Sequence, residues 1–183
     1  MKLIETEIEG LFIAETTVIG DERGTFSRVF CQDELGDAFD DRVIRQANMS
    51  MTAAVGAVRG MHFQYAPRAE TKIVRCIEGQ VYDVAVDLRR GSPTFLQWHG
   101  VELSSENGLA FIIPEGCAHG FQVLKANSRL LYLHTEFYSP AHEGGVRYDE
   151  PRVGIAWPLP PAHLSSRDAS HPFLDANFDG VDL

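Results

Sequence analysis

The stretch VYDVAVDL, residues Val81 to Leu88, decides the expected fold. Apolar and aromatic side chains occupy every second position of it, namely Tyr82, Val84, Val86 and Leu88. Asp83 and Asp87 fall between them, so an extended chain would place both carboxylates on the opposite face. Because successive side chains of a strand point to opposite faces, this alternation predicts a β-strand with two chemically distinct sides.

The rest of the chain repeats this pattern of short runs separated by turns. Comparable runs are FLQWHGVEL (95–103), LAFIIP (109–114) and RLLYLHTEFY (129–138). The segments that close the runs are short and rich in turn-forming residues: GDERG, EGQ, RRGSPT, SSENG, PEG, KANS and YSPAHEGG. Such short connections join antiparallel strands, because parallel neighbours need a long crossover. We therefore expect an all-β fold, an antiparallel β-sandwich or barrel.

A few short helices are expected within this β fold. One is predicted in CQDELGDAF (31–39), and a second after LSS (164–166), where Ser165 or Ser166 would cap the first turn. The WPLPP segment (157–161) cannot be a central strand, because proline lacks the backbone donor that a sheet requires. We expect it to run along the surface.

The run RLLYLHTEFY carries a polar and aromatic face. As one continuous strand it would place four such side chains on the same side, Tyr132, His134, Glu136 and Tyr138. Tyr138 would then lie about 20 Å beyond Tyr132, at ~3.3 Å per residue. A face of this kind on an inner strand indicates a lined cavity.

Length and composition limit the possible functions. With 183 residues, of which 44% are hydrophobic, we expect one domain spanning residues 1–183. The net charge of −10 argues against nucleic acid or an anionic membrane as a partner, since both require a positive surface. A small anion would need a local basic pocket, for which Arg59, Lys72 and Arg75 are candidates.

The N-terminus and the cysteines indicate a cytoplasmic protein. MKLIETEIEGLF (1–12) has no continuous apolar run, so neither a signal peptide nor a membrane anchor is predicted there. Cys31, Cys76 and Cys117 are odd in number and far apart, which predicts reduced thiols and no disulfide framework.

A metal site is the first function to weigh. GLAFIIPEGCAH (108–119) has the spacing G-x5-P-x-G-x2-H, which resembles one of the two motifs of the cupin jelly rolls. Many cupins bind a metal through three histidines and a glutamate, but the expected H-x-H pair here reads His62-Phe63-Gln64. Glu70 also stands at the wrong distance for the carboxylate. With two ligands lost, we expect no metal, and His62 and His119 need another role.

Longer matches point to one family. The relevant stretches are GDERGTF, RGMHFQ, KIVRCIEGQVYDVAVDLRRGSPTF, IPEGCAHGFQVL, LYLHTEFYSP, IAWP and LSSRD. Over nearly its whole length the chain resembles the dTDP-4-dehydrorhamnose 3,5-epimerases, metal-free cupin enzymes of nucleotide-sugar biosynthesis. The resemblance implies a cupin-type antiparallel jelly roll, a nucleotide-sugar substrate with dTDP as the default carrier, and no cofactor.

The resemblance also implies residue roles. His62 would be the catalytic base, Tyr132 the acid on the opposite face of the sugar, and Asp168 the carboxylate partner of His62. Substrate would be bound by Arg23, Phe26, Arg28, Gln46, Asn48, Arg59, Lys72, His119, Tyr138, Glu143 and Arg167. The family forms homodimers in which N-terminal segments reach the neighbouring subunit's site, which bears on Arg23 and Phe26. The remaining histidines are expected to be structural or surface residues: His99, His134, His142, His163 and His171.

These residue types suit the chemistry. The C–H bonds at C3 and C5 of a 4-keto sugar are acidified by the carbonyl, so inversion needs a base on one face and a proton donor on the other. Histidine can act as the base near neutral pH, and a buried carboxylate can fix its tautomer. Lys72 near the keto oxygen would stabilise the enolate, by ~3 kcal/mol if it is preorganised.

The chain departs from the family pattern at four positions. Arg28 replaces a usual glutamate, Ala47 an often acidic residue, Met61 a common leucine, and Arg167 a lysine. The charge reversal at Arg28 leaves a GDP or CDP carrier open, and inversion at C3 alone is also open. A cupin that binds a nucleotide sugar without catalysis is the alternative from another class.

Overall fold

The structure is a computed structural model that describes residues 1–39 and 41–183. Its N-terminal strands are β1 (Lys2–Glu5), β2 (Phe12–Glu15), β3 (Val18–Asp21), β4 (Gly24–Ser27), β5 (Gln46–Thr52) and β6 (Val58–Gln64). The later strands are β7 (Lys72–Glu78), β8 (Gln80–Asp87), β9 (Trp98–Ser104), β10 (Leu109–Ile113), β11 (Cys117–Val123), β12 (Ser128–His134) and β13 (Glu143–Gly145). Between and after them lie helix α1 (Gly36–Phe39), a 3-10 helix (Pro140–His142) and helix α2 (Ser166–Ser170).

The strands form two main antiparallel sheets. A six-stranded sheet has the order β1-β2-β10-β7-β12-β5, and a five-stranded sheet has the order β13-β6-β11-β8-β9. β3 and β4 pair only with each other, as a hairpin. The prediction of an antiparallel all-β fold with a few short helices is therefore confirmed.

The main core lies between the two sheets. Val74 and Phe111 of the six-stranded sheet pack in one cluster with three residues of the five-stranded sheet. These are Val81 and Ala85 of β8 and Phe121 of β11. All five are almost completely removed from solvent. At roughly 1.5–3 kcal/mol for each large apolar side chain, burial of this kind is the main favourable contribution to folding.

Each sheet is also covered on its outer face. The C-terminal segment lays Trp157, Phe178 and Val181 over Val84 and Val86 of β8. Leu35, just before α1, and Phe39, the last residue of α1, cover Ile73 and Ile112 of the six-stranded sheet in a separate cluster. The two faces of β8 that the sequence separates are therefore both buried.

Burial of the polar face of β8 requires partners for its two aspartates. Asp87 accepts hydrogen bonds from Arg89 and from the hydroxyls of Ser92 and Thr94. Burial alone would raise the pKa of Asp87, but these bonds outweigh it and lower the pKa to about 2. Asp83 instead lies behind His119, a residue of the cavity described below.

Two predicted elements are shorter than expected. The predicted strand from Arg129 to Tyr138 ends at His134, because the next residue, Thr135, turns to bond with Thr71. Glu136 and Tyr138 therefore do not continue the Tyr132 face, and that prediction is wrong. The predicted helix at 31–39 is confined to Gly36–Phe39 among the residues described.

Two further expectations concern membranes and thiols. Within residues 1–39 and 41–183, no helix has the length and apolar character needed to cross a membrane. Cys31, Cys76 and Cys117 are free thiols, as predicted.

A close backbone approach between β6 and β11 sets the position of His62. Gly60 has φ 128°, which other residues rarely adopt. A Cβ on Gly60 would collide with the Cα of Gly120 and lie 2.8 Å from the carbonyl oxygen of His119. Beyond this contact, His62 and His119 are directly paired across the two strands. Glycine at position 60 therefore places two histidines side by side.

We predict that Gly60→Ala lowers the free energy of unfolding by about 2–4 kcal/mol, through backbone strain together with a steric clash. Gly36→Ala is the matched control, because φ there is not positive and a Cβ at Gly36 meets nothing within 4 Å. It should change stability by no more than about 1 kcal/mol. Urea unfolding measures both. Equal stability of the two variants would contradict the proposed close packing.

Candidate active site

A cavity of about 280 Å³ lies between the two sheets. Nine predicted site residues line it: Gln46, Asn48, Arg59, His62, Lys72, His119, Tyr132, Tyr138 and Glu143. The lining also includes residues that sequence reasoning did not assign to the site: Met49, Ser50, Phe63, Gln64, Glu70, Phe121 and His134. The cavity therefore combines apolar walls with a concentration of titratable groups, as ligand sites usually do.

His62 and Asp168 form the best-defined pair in the cavity wall. The Nε2 of His62, on β6, lies 2.8 Å from Oδ1 of Asp168. Asp168 sits in the first turn of α2, where its backbone N–H donates to the N-cap hydroxyl of Ser165. The backbone N–H of Gly60 donates to its other oxygen at 3.4 Å. Asp168 thus lies behind His62, and α2 holds it there.

The pair is arranged so that the carboxylate is ionised and the imidazole is reachable. Burial would raise the pKa of Asp168, but the hydrogen bond and charge of His62 and the Gly60 N–H hold it below its usual value. The Asp168 side chain is 5% exposed, whereas that of His62 is 33% exposed. A ligand can therefore meet the imidazole without reaching the carboxylate.

Tyr132 approaches the cavity from the opposite sheet. It lies on β12, and its hydroxyl is 2.9 Å from Oγ of Ser50 on the neighbouring strand β5. Burial raises the pKa of Tyr132 well above its usual value, despite the opposing effect of the Ser50 hydrogen bond. At neutral pH the phenol is therefore protonated and can donate a proton or a hydrogen bond.

A second histidine and carboxylate pair lies beside the first. Nε2 of His119 is 2.8 Å from Oδ1 of Asp83, which is completely buried on β8. Burial raises the pKa of Asp83, although His119 and Lys72 act in the opposite direction. The Oδ2 atom of Asp83 has no hydrogen-bond partner among the described residues. Asp83 is therefore held in place mainly through His119.

Lys72 is held by a buried carboxylate that sequence reasoning set aside. Oε1 of Glu70 is 2.8 Å from Nζ of Lys72, and Oε2 is 2.8 Å from Nδ1 of His134. Burial would raise the pKa of Glu70, but the Lys72 charge and the His134 hydrogen bond lower it to about 2. His134 therefore belongs to the cavity, and its prediction as a structural or surface residue needs correction. The E-x-K spacing at 70–72 is compatible with a Glu–Lys ion pair. The contact of Glu70 with His134 arises only because the pairing of β7 with β12 places His134 opposite Lys72.

The rim of the cavity is formed by a polar chain around Tyr138. The Tyr138 hydroxyl donates to Oε2 of Glu143 at 2.9 Å, and Glu143 also forms an ion pair with Arg167. The backbone N–H of Tyr138 donates to the side chain of Gln46. The ring itself is 54% exposed, so its face is open to a ligand.

Gln64, which replaces the expected second histidine of a metal-binding cupin, has a full set of partners. Its amide nitrogen donates to the carbonyl oxygens of Arg68 and Phe137, and its amide oxygen accepts from the backbone N–H of Ser139. Gln64 therefore fastens the chain on either side of Tyr138.

Five predicted cations or aromatics are not among the residues that line this cavity, and one of them, Arg167, is held at the rim by Glu143. Arg23 pairs with Asp21 on the β3–β4 hairpin, which also carries Phe26 with 72% of its surface exposed. Arg28 forms an ion pair with Glu34. Arg75, proposed above for a basic pocket, is buried and donates to Thr16 and to the carbonyl of Gly108, so it does not line the cavity.

Two antiparallel sheets enclose this polar cavity, with a His–Asp pair on one wall and a protonated tyrosine on the other, in the architecture of a cupin-type protein. The chain belongs to the dTDP-4-dehydrorhamnose 3,5-epimerase family, whose family model matches residues 5–176. The recognition from sequence and the cupin-type fold are thereby confirmed.

Individual relatives agree with this assignment. The dTDP-4-dehydrorhamnose 3,5-epimerase of Sinorhizobium fredii is 44% identical, over 94% of this chain and 92% of the relative. A crystal structure of the 3,5-epimerase RmlC from Legionella pneumophila, in complex with dTDP-4-keto-L-rhamnose, superimposes with a TM-score of 0.91 at 39% identity, covering 98% and 97% of the two chains. ChmJ, a 3'-monoepimerase from Streptomyces bikiniensis in complex with dTDP-quinovose, gives a TM-score of 0.86 at 34% identity, covering 92% and 85%.

We predict that Glu70→Gln removes part of the acid sensitivity of folding. The folded-state pKa of Glu70, about 2, lies below its usual value of 4.5, so its contribution is present above pH 4.5 and is lost as the pH falls towards 2. At pH 7 the variant should be less stable by roughly 2–3 kcal/mol. Thermal unfolding from pH 7 to pH 2 measures this.

Glu136→Gln is the control, because this carboxylate also pairs with a cation, Arg68, but is partly exposed rather than enclosed by the core. It should leave the pH profile close to that of the parent protein. If Glu70→Gln left both the stability at pH 7 and the acid limb unchanged, the buried Glu70–Lys72 pair would be refuted.

Proposed function

We propose that the protein is an epimerase that inverts C3 and C5 of a nucleotide-activated 4-keto-6-deoxy sugar, of the dTDP-4-dehydrorhamnose 3,5-epimerase type. His62 is the base, Asp168 its carboxylate partner, and Tyr132 the acid. The reaction proceeds through enolates and requires no cofactor. That residues 1–183 form one domain in the cytoplasm stays a prediction.

One observation carries this proposal: the base and the acid lie on facing sheets of the same cavity. His62 is on β6 of the five-stranded sheet and Tyr132 is on β12 of the six-stranded sheet. Inversion of a carbon next to a carbonyl needs removal of a proton from one face and delivery to the other. A cavity used only for binding has no need of this opposition.

The hydrogen bond to Asp168 assigns the nitrogen that acts. Because Nε2 of His62 is bonded to Asp168, the proton on Nε2 is held there and the Nδ1 lone pair accepts the proton from carbon. Asp168, ionised and buried, stabilises the imidazolium that results. After reprotonation of the opposite face by Tyr132, solvent restores the proton to the phenol.

The negative charge that forms on the keto oxygen requires a donor nearby. Lys72 lines the cavity and is itself 6% exposed, so its charge acts in a region of low dielectric. Glu70 fixes its ammonium at 2.8 Å, and His119 lines the same cavity from the other sheet. Fixed donors of this kind stabilise an oxyanion without reorganisation.

The nucleotide lies towards the rim. The exposed ring of Tyr138 stacks on the base, and Glu143, Arg167 and Arg59 meet polar groups of the nucleotide. The complexes of the Legionella and Streptomyces relatives contain dTDP sugars, which makes dTDP the first carrier to test. Arg28 keeps GDP and CDP carriers as alternatives, and the 3'-monoepimerase relative keeps inversion at C3 alone as another.

We predict that the protein exchanges the C3 and C5 hydrogens of dTDP-4-keto-6-deoxyglucose with D2O, as followed by proton NMR. His62→Asn should reduce exchange at both carbons by about 10²–10⁴-fold, because no base remains. Tyr132→Phe should suppress inversion more than exchange, because His62 can still remove a proton and return a deuteron to the same face.

Tyr65→Phe and His163→Asn are the matched controls, because both residues are exposed and lie outside the cavity lining. Both should retain exchange and inversion. Exchange at C3 alone would identify a C3 epimerase. An absence of exchange with dTDP, GDP and CDP substrates, in a folded protein that binds them, would favour the binding protein over the enzyme.

We also propose a homodimer in which the β3–β4 hairpin of each subunit packs on the partner. The hairpin exposes Ile19 and Phe26, with 64% and 72% of their surfaces accessible. The edge strand β5, whose central residues line the cavity, exposes Met49 and Met51, with 61% and 52% accessible. Apolar patches of this kind mark interaction surfaces, and the contact would bring Arg23 to the cavity of the other subunit.

We predict that Ile19→Glu or Met51→Glu shifts the protein from dimer to monomer, measured by light scattering on a size-exclusion column. A buried glutamate at an apolar interface costs several kcal/mol, which is sufficient to dissociate a standard interface. Phe173→Glu is the control, because Phe173 is an exposed apolar residue outside the hairpin and β5. This variant should remain dimeric. Dimers in all three variants would rule out this interface.

A further inference from the structure

A third ligand-type side chain stands beside the His62–Asp168 pair. His171 directly follows α2, and its ring centroid is 6.1 Å from that of His62. One ligand atom from each of His62, Asp168 and His171 can be chosen so that all three lie within 4.8 Å of one another. The proposed catalytic mechanism uses His62 and Asp168 but gives His171 no role.

The buried nitrogen of His171 lacks a partner. Its Nε2 atom is inaccessible to solvent and makes no hydrogen bond within the described part of the chain. The ring packs on the backbone of Gly145, where any Cβ would overlap it. Gly145 pairs with His62 across β13 and β6, so the close packing of His171 on glycine brings the two imidazoles together. A buried nitrogen without a partner is costly unless something binds it.

The charge states of the three groups suit a cation. Burial lowers the pKa of His171, which favours the neutral imidazole with a free lone pair. Asp168 is ionised, as described above. Two imidazoles and one carboxylate are a donor set that Zn²⁺ accepts, with a fourth position left for water.

The spacing is also close to what zinc requires. Ligand bonds of about 2.0–2.2 Å in a tetrahedron place neighbouring ligand atoms roughly 3.4 Å apart. His62 Nε2 and Asp168 Oδ1 are 2.8 Å apart, and one ligand atom from each of the three residues can be chosen so that no separation in that set exceeds 4.8 Å. Binding of an ion therefore requires the donor atoms to approach a common centre by side-chain rotation.

We propose that His62, Asp168 and His171 form a binding site for a divalent transition metal, with Zn²⁺ the best match, and that its occupation inhibits the enzyme. Coordination through Nε2 of His62 requires the other tautomer of the neutral ring, so its single proton moves from Nε2 to Nδ1 by exchange with solvent. The lone pair that would accept a proton from the sugar is then lost. This site differs from the cupin ligand set, because His171 and Asp168 take the place of Gln64 and His119.

The inhibitory half of this proposal rests on the proposed epimerase function, but metal binding does not. Binding is therefore measured directly, with Co²⁺ as a spectroscopic probe for a tetrahedral site and Zn²⁺ as its competitor. The protein carries Cys31→Ser throughout, because this partly exposed thiol could bind cobalt by itself. We expect one Co²⁺ per chain, with the visible absorption of a tetrahedral complex that Zn²⁺ abolishes.

His171→Phe and His171→Asn test the ligand. The phenyl ring preserves the packing on Gly145 without a donor atom, so it separates loss of a ligand from loss of folding. Both variants should bind Co²⁺ at least ~10-fold more weakly. His163→Asn, the control at an exposed histidine outside the cluster, should bind as the parent does. Unchanged affinity in both His171 variants, or no tetrahedral spectrum in the parent, would overturn the site.

Turnover in the presence of Zn²⁺ tests the inhibition. The parent should lose activity in proportion to occupancy, and His171→Phe should need at least ~10-fold more Zn²⁺ for the same loss. Full activity of the zinc-loaded parent would refute the inhibition while the site remains. If no variant had epimerase activity but Co²⁺ bound as expected, the proposed function would fail and the metal site would stand.

Discussion

The hydrogen bond between His62 and Asp168 is the constraint around which the C-terminal part of the chain is arranged. A carboxylate with 4% of its surface exposed is stable as an anion only if donors surround it, and Asp168 receives them from His62 and from the backbone of Gly60. On both sides of Asp168 the chain lies over the outer face of the five-stranded sheet, where Trp157 before it and Val181 after it cover β8. The packing that stabilises this sheet thus also delivers the partner of the proposed base.

The two sheets divide the chemistry between them. The five-stranded sheet carries two histidines, each bonded to a carboxylate, whereas the six-stranded sheet contributes the protonated Tyr132 and the cation Lys72. Different environments set these protonation states: burial keeps the phenol neutral, while ion pairing keeps Glu70 ionised. A barrel formed by two sheets can hold such opposed groups at fixed positions, because each of these side chains is on a strand that is paired with a neighbouring strand on both sides.

Sequence alone was sufficient for the strands whose pattern is local. The alternation of Val81–Leu88 predicts β8 with both faces correctly separated, and the short turns predict antiparallel pairing. The resemblance supplied most of the residues that line the cavity. Glu70 and His134 were not predicted as cavity residues, because their contact exists only once β7 and β12 are paired. No local sequence pattern indicates the register of that pairing. The strand predicted to reach Tyr138 failed for a similar reason, because Thr135 is captured by Thr71, 64 residues away in sequence.

Gln64 shows how one substitution redirects a cupin cavity. Both polar atoms of its amide are engaged by the chain between Arg68 and Ser139, so they are unavailable as metal ligands at this position. The same bonds hold the loop that presents Tyr138 at the rim, 54% exposed and ready to stack on a planar ligand. A histidine at position 64 could not accept from Ser139 and also donate to two carbonyls in this way, because its neutral ring has one donor and one acceptor. Glutamine at this position therefore anchors a loop instead of binding a metal, which leaves His62 available for the proposed proton transfer.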